Sequence, residues 1–337
     1  MRFQMPEIPK INPKALIPDE VRERFARKTA EKADEAATER VSTAPGTDVG
    51  EKEISQRIAD LDVMVQEPPQ RVFDAYLLNI DATLYAGTQL MPEMKTVIDV
   101  LDELRRPVRY LSMMSTVSTD ALIEAMAKEG VAIEPHQIVT PGRQLSNYLH
   151  KSYPGANVFV IGDDTLSAEL SSAGIKLCDD PAKINVVLVA HDRNFTFDKL
   201  ATAFRAIDEN GAELVASSLR RVRRQPDGTR EPGTLSIVTA IEVATRKRVV
   251  KNLGAPETDL LEMIFEDLAA EPQDALLVTD SLGADIRMAK RFGIPTALIL
   301  AGDVTIDDAR NRQEKDQPNY VLDSLDSIVP PYIKDQL

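Results

Sequence analysis

The chain has 337 residues, with 40 Lys and Arg against 54 Asp and Glu, a formal net charge of −14 at pH 7. That acidic balance excludes a broad nucleic-acid-binding face, which needs clustered cations to neutralise phosphates, and the length points to about two domains. The single cysteine, Cys178, excludes an internal disulfide framework and any multi-Cys zinc site.

Residues 1–70 read as an extension, part extended and part helical. Pro6, Pro9, Pro13 and Pro18 favour extended chain. The Ala/Glu/Arg/Lys-rich stretch that follows Pro18 favours a helix, whose apolar face is thin: Val21 and Phe25, then mostly alanines. Such a helix is either a solvated tail or an arm that orders on a protein partner. Residues 42–50 have linker composition, and 53–65 form a second short helical candidate. No apolar run reaches the roughly 18 residues of a membrane span, and the N-terminus has no apolar leader-like core, so a cytoplasmic protein is expected.

From residue 72 short apolar strands alternate with helices. Strands are expected at 72–80, 108–115, 157–162, 185–190, 212–218, 274–280 and 295–302, with a short one near 138. Helices are expected at 94–106, 118–130, 165–174, 197–211, 235–247, 257–269 and 282–293, and 137–153 reads as that short strand feeding a helix. This alternation predicts parallel sheets, whose chemistry sits beyond the carboxyl ends of the strands. Three strand ends stand out: Asn79-Ile80-Asp81-Ala82-Thr83, Ser112-Met113-Met114-Ser115, and Thr279-Asp280 running on to Asp285.

Together with a later segment around 186–207 and the run from 276 to Thr305, these strand ends resemble the haloacid dehalogenase-like (HAD) superfamily. The resemblance is to the subclass that contains p-nitrophenyl phosphatases and phosphoglycolate phosphatases, and it spans about residues 72–305. It implies an α/β fold: a Rossmann-like HAD core at 71–145 and 247–330, an inserted α/β cap at 146–246, and the N-terminal extension outside both. It also implies a chemistry. An Asp at the first strand end attacks phosphorus, an Asp two residues on moves protons, a Ser or Thr and a Gly-Lys-Pro lysine hold phosphoryl oxygens, and Mg²⁺ sits among the acids.

Matched position by position, the nucleophile is replaced by Asn79, while the acid/base position keeps Asp81. Ser112, Thr83 and Ser115 are the phosphate-binding candidates. Gly-Lys-Pro reads Gly254-Ala255-Pro256, so the lysine is lost. Asp280, Asp285 and Asp81 remain as metal-site acids, with Mg²⁺ expected to be weak and not required. The cap's Thr-Asn-x-Asp-type loop reads Ser217-Ser218-Leu219-Arg220.

Arg220, Arg221, Arg223, Arg224 and Arg230 form a basic cluster, either a solvated loop or hairpin or a docking patch for an acidic partner or phosphorylated ligand. His191 is expected to be a hydrogen-bonded structural residue and Cys178 a buried small apolar one. The resulting expectation is a catalytically degenerate HAD-like protein that works as a binding, scaffold or regulatory subunit. Its contacts would be made through the extension and the cap, with a homodimer implied by the resemblance. The alternative is a residual Mg²⁺-dependent phosphatase acting on a small phosphate ester, or a non-catalytic sensor of a phosphorylated metabolite.

Overall fold

The computed structural model describes residues 64–81, 85–86, 89–90, 92–113, 117–224, 229–300 and 304–334. Val21, Phe25, Thr83 and Ser115 lie outside them, as does the side chain of Arg224. The described residues fall within one unit, Ser55–Leu337.

The first sheet is built around β1 (Ala75–Asn79), every residue of which is buried. The strands that follow are β2 (Tyr85–Ala86) and β3 (Gln89–Leu90), which pair with each other, then β4 (Val108–Leu111) and β5 (Ile138–Val139). Near the C-terminus come β13 (Ala275–Thr279), β14 (Thr296–Ile299) and β15 (Tyr320–Leu322). The six-stranded order is β15-β14-β13-β1-β4-β5, all parallel. A parallel sheet is covered on both faces, so its central strands read as continuous apolar runs. The period of two then sorts the side chains. Tyr76, Leu78, Leu276 and Val278 enter one core cluster, and Ala75, Leu77, Ala275 and Leu277 enter the other. Helix α1 (Pro92–Glu103) covers the first face through Met94, Val97, Ile98 and Leu101. The second is covered by Leu260, Leu261 and Ile264 of a helix at Asp259–Phe265, and by Met288 and Ala289 of a helix at Ala284–Phe292. The end of the expected extension belongs to this layer: Val65 bridges Tyr320, and its N–H donates to the Asn319 carbonyl at 2.8 Å.

The second sheet comes from the middle of the chain: β6 (Asn157–Ile161), β7 (Lys176–Leu177), β8 (Val186–Val189), β9 (Glu213–Ala216) and β12 (Lys251–Asn252). Its order is β12-β9-β8-β6-β7, again parallel. Its last strand runs past residue 246, because Lys251 and Asn252 pair with Val215 and Ala216. Helices α2 (Thr119–Lys128), α3 (Pro141–Ser152), α4 (Asp164–Ser172), α5 (Phe197–Phe204) and α6 (Thr234–Thr245) come in chain order. Of these, α3 and α4 cover the Val186/Leu188 face, and α5 and α6 cover the Val187/Val189 face. The helix expected to run to 211 stops at Phe204 and relaxes into a π turn over Arg205–Glu209. Within the basic cluster, β10 (Val222–Arg224) pairs antiparallel with β11 (Arg230–Pro232). The helices at Asp259–Phe265 and Ala284–Phe292 are α7 and α8. Among the described residues no helix is long and apolar enough to cross a membrane.

Candidate active site

The carboxyl ends of β13, β1 and β4 lie side by side, because these strands are parallel neighbours in register (Leu78 opposite Val278, Asn79 opposite Leu111). Asn79 is therefore only 5% exposed. Its amide Nδ2 donates to Asp285 Oδ2 at 3.3 Å, and its Oδ1 accepts from the Asp81 backbone N–H at 3.0 Å. Asp81 turns toward the end of β4, where it accepts from Ser112 Oγ at 2.6 Å and from the Met113 N–H. Burial pushes its carboxyl up to about 6, against the pull of those two hydrogen bonds. Asp285 reaches the same place from the first turn of α8, whose N-cap Gly283 has φ of +136°, a backbone conformation that suits glycine. Asp280, just past β13, is also pushed up to about 6 by burial, with the nearby Asp285 charge adding to the rise.

The second sheet supplies the opposite wall. After β9 the chain continues through Ser217, Ser218 and Leu219 to Arg220, whose Nη2 donates to Asp285 Oδ1 at 2.8 Å. Burial pushes the Asp285 carboxyl up, and Arg220 and then Asn79 oppose it. The direct bond from the guanidinium favours the charged form of the carboxylate, against the larger effect of burial. The Arg220 backbone is tied down as well. Its N–H donates to Ser218 Oγ at 3.1 Å, and its carbonyl accepts from the Leu235 N–H at 3.2 Å. A Cβ on Gly233 would lie 2.1 Å from that carbonyl oxygen, so only glycine fits there. A Cβ on Gly254 would lie 2.6 Å from the Ser217 carbonyl oxygen, which brings the Gly254-Ala255-Pro256 segment against the same loop. Ala255 packs against the first sheet's apolar cluster, and its bond to Pro256 is cis.

The structure thus gathers Asn79, Asp81, Ser112, Asp280, Asp285 and Arg220, and brings Ala255 to their edge. Arg220 stays exposed, its side chain 44% accessible, but its guanidinium bonds to Asp285, a contact the cluster reading did not anticipate. Arg221 and Arg230 are exposed and Arg223 is half-buried on the hairpin. His191 is half-buried, and its buried Nε2 has no hydrogen-bond partner and lies 3.9 Å from Glu231 Oε2, so the expected hydrogen-bonded role is not met at that atom. Cys178 is half-buried against the second sheet's core rather than fully buried. Two surface clefts among the described residues include none of these side chains. One of about 530 Å³ includes Asp74 and Asp274, at the amino ends of β1 and β13, and one of about 720 Å³ includes Arg287, Arg312 and Lys315.

The HAD resemblance implies Mg²⁺ among these acids, and the residues present do not fit it. Both oxygens of Asp285 are engaged, one by a guanidinium and one by an amide. Both oxygens of Asp81 accept hydrogen bonds, from Ser112 and Met113, which alone would not keep a metal away; the misfit lies at Asp285. A divalent ion on Asp285 would sit against a cation already bonded to the same carboxylate, and like charges at that range repel by several kcal/mol, roughly, even at an effective dielectric near 20. Among the described residues no group of three or more His, Cys, Asp or Glu side chains could hold a metal. The Arg220–Asp285 pair and the role of Gly233 were not foreseen. Their partners are 65 residues apart for the ion pair, and no local spacing signals it.

The model for Haloacid dehalogenase-like hydrolase matches residues 76–176, and the HAD-hydrolase-like model matches 252–328, together more than half of the chain. Chronophin of Rattus norvegicus is 27% identical over 266 residues, 75% of this chain and 86% of that protein. Sugar-phosphatase AraL of Bacillus subtilis is 24% identical over 252 residues, 75% of this chain and 90% of that protein. Among solved structures, p-nitrophenyl phosphatase from Archaeoglobus fulgidus superposes with a TM-score of 0.70 at 24% identity, covering 79% of this chain and 100% of that one. With two parallel sheets whose carboxyl ends meet at these residues, and with both family models matched in order, this chain belongs to the haloacid dehalogenase-like superfamily.

Proposed function

We propose that this chain binds a small phosphate ester between its two sheets and does not turn it over through an aspartyl-phosphate. The observation that carries the reading is Asn79. Both ends of its amide are engaged, Nδ2 with Asp285 and Oδ1 with the Asp81 N–H, at the position where a carboxylate would have to attack phosphorus. A neutral amide is a far weaker nucleophile than a carboxylate. Removing the nucleophile of a protease costs about 10⁶ in turnover, which sets the scale of the loss. Ala255 removes a second group, the cation that would steady phosphoryl oxygens.

Binding keeps support where turnover loses it. Ser112 supplies a hydroxyl at the end of β4, and Arg220 supplies a guanidinium suited to phosphate oxygens. Among the relatives named above, AraL is a sugar-phosphatase, which favours a phosphate ester over a purely structural role. The scaffold reading, the main expectation from the sequence, leaned on residues 1–70 and on the arginine cluster, and nearly all of 1–70 lies outside the described residues. No step of this reading passes through Mg²⁺.

The test is thermal unfolding in EDTA with inorganic phosphate and with p-nitrophenyl phosphate. A ligand at about 100 times its Kd adds about 2.7 kcal/mol, which raises Tm by about 5–10 °C for a chain of this size. No shift with either anion, up to tens of millimolar, would refute binding.

A further inference from the structure

We propose that Arg220 is the resident cation of this site: its guanidinium, carried in by the cap, takes the place at Asp285 that the family resemblance gives to Mg²⁺, so that closure of cap on core and anion binding need no metal. The part concerning anions rests on the phosphate-ester reading above, while the part concerning the cation stands without it.

Three observations carry this. The Asp285 side chain is 3% exposed, and a carboxylate that deep needs a counter-charge; Arg220 provides it at 2.8 Å. The second is the match between Asn79 and Arg220. A carboxylate at position 79 would face Asp285 and require a cation between the two. The amide instead donates to Asp285, so one guanidinium balances what remains. The third is that the Arg220 main chain is held in place. Ser218 Oγ accepts from its N–H, the Leu235 N–H donates to its carbonyl, and Gly233 leaves room for that carbonyl where any Cβ would collide. An arginine that reached the core by chance from a loose loop would need none of this. Its guanidinium carries five N–H donors in a planar fork, and the bond from Nη2 to Asp285 leaves the fork able to meet phosphate oxygens as well.

The experiment uses the full chain and Mn²⁺ as the probe, with free Mn²⁺ followed by electron paramagnetic resonance and no phosphate present. Wild type is compared with Arg220→Gln, which keeps a donor for Asp285 but no charge, and with Arg220→Lys, which keeps a charge. Arg220→Gln is expected to bind Mn²⁺ at least about tenfold more tightly than wild type, because a like charge has been removed from the site. Arg220→Lys is expected to stay as weak as wild type. Equal Mn²⁺ affinity in wild type and Arg220→Gln would overturn the proposal, as would a lysine variant that binds like the glutamine one.

A measurement on wild type alone covers the case in which the glutamine variant does not fold. Hydrogen exchange over 217–222 and 280–286 is expected to be the same in Mn²⁺ and in EDTA, and a change in protection on adding Mn²⁺ would overturn the proposal. These readouts contain no phosphate. If they come out as expected while phosphate fails to shift Tm, the ligand reading falls and the resident cation stands; the reverse pattern separates the two the other way.

Discussion

Asp280→Asn is expected to stabilise this protein at pH 7.5, a sign opposite to that of a metal-dependent site. Asp280 is largely buried beside Asp285, and its carboxyl is pushed from 3.8 to about 6 by burial first and by the Asp285 charge. A rise of about 2 pH units is worth about 3 kcal/mol between its protonated and ionised forms. Because the folded value lies above the unfolded one, the native state holds a proton that the unfolded chain has lost between about pH 4 and 6. Stability therefore falls as pH rises through that window and stays lowered above it. The amide keeps the shape and removes the charge, at its own desolvation cost of about 1–2 kcal/mol. The net gain at pH 7.5 is then about 1–2 kcal/mol, or about 2–6 °C in Tm for a chain of this size. Thermal unfolding of both proteins from pH 4 to pH 8 reads it: the curves should converge near pH 4 and separate as pH rises. A lower Tm for the variant at pH 7.5, above all in the presence of Mg²⁺, would refute the reasoning, because it would mean that the Asp280 carboxylate balances a cation.

Three further outcomes are expected. Asn79→Asp sets a carboxylate against Asp285 where an amide now donates at 3.3 Å, so Tm should drop by several degrees at pH 8 and recover near pH 5 as one of the pair takes a proton; the two-pH comparison by calorimetry checks it. Gly233→Ala forces a Cβ to within 2.1 Å of the Arg220 carbonyl oxygen. It should cost about 1–3 kcal/mol and speed amide exchange around Leu219–Val222, whereas an unchanged exchange pattern would show that Arg220 is not held from there. Asn319→Ala removes the Oδ1 that accepts from the Thr296 N–H at 2.9 Å and from its hydroxyl at 3.1 Å, in a buried place between β14 and β15. Leaving that N–H without a partner should cost about 1–3 kcal/mol, read as a lower urea midpoint at unchanged slope.

The core of the fold was legible because its strands are buried on both faces and so appear as unbroken apolar runs: AYLLN and ALLVT at β1 and β13, and VVLV at β8. Their ends delivered Asn79, Asp81, Ser112 and Asp280, because a strand end is a local feature of sequence. Short edge pieces such as β7, β12 and β15 have two or three residues and too little pattern to register. The last turn of α5 also misled. Arg205–Glu209 continues a helical composition, but the backbone there widens to a π turn, a difference of hydrogen-bond register that side-chain types do not encode. The pairing of Arg220 with Asp285 was not foreseen. In sequence Arg220 is one of several arginines around a Pro-Asp-Gly sequence, and it is exposed like Arg221 and Arg230. What separates it is Asp285, which only the meeting of two sheets brings within reach. Ion pairs across layers have no spacing rule comparable to the three- and four-residue rule along a helix. Such pairs become visible only once the topology is known.

The most direct test of the account is release of nitrophenol from p-nitrophenyl phosphate by wild-type protein in Mg²⁺, beside the same protein in EDTA and an Asp81→Asn variant. The account predicts that all three give the same rate, that of the uncatalysed background, even while the anion raises Tm. Release that depends on Mg²⁺ and disappears in Asp81→Asn would contradict it, and would mean that Asn79 and Arg220 leave room for phosphoryl transfer after all.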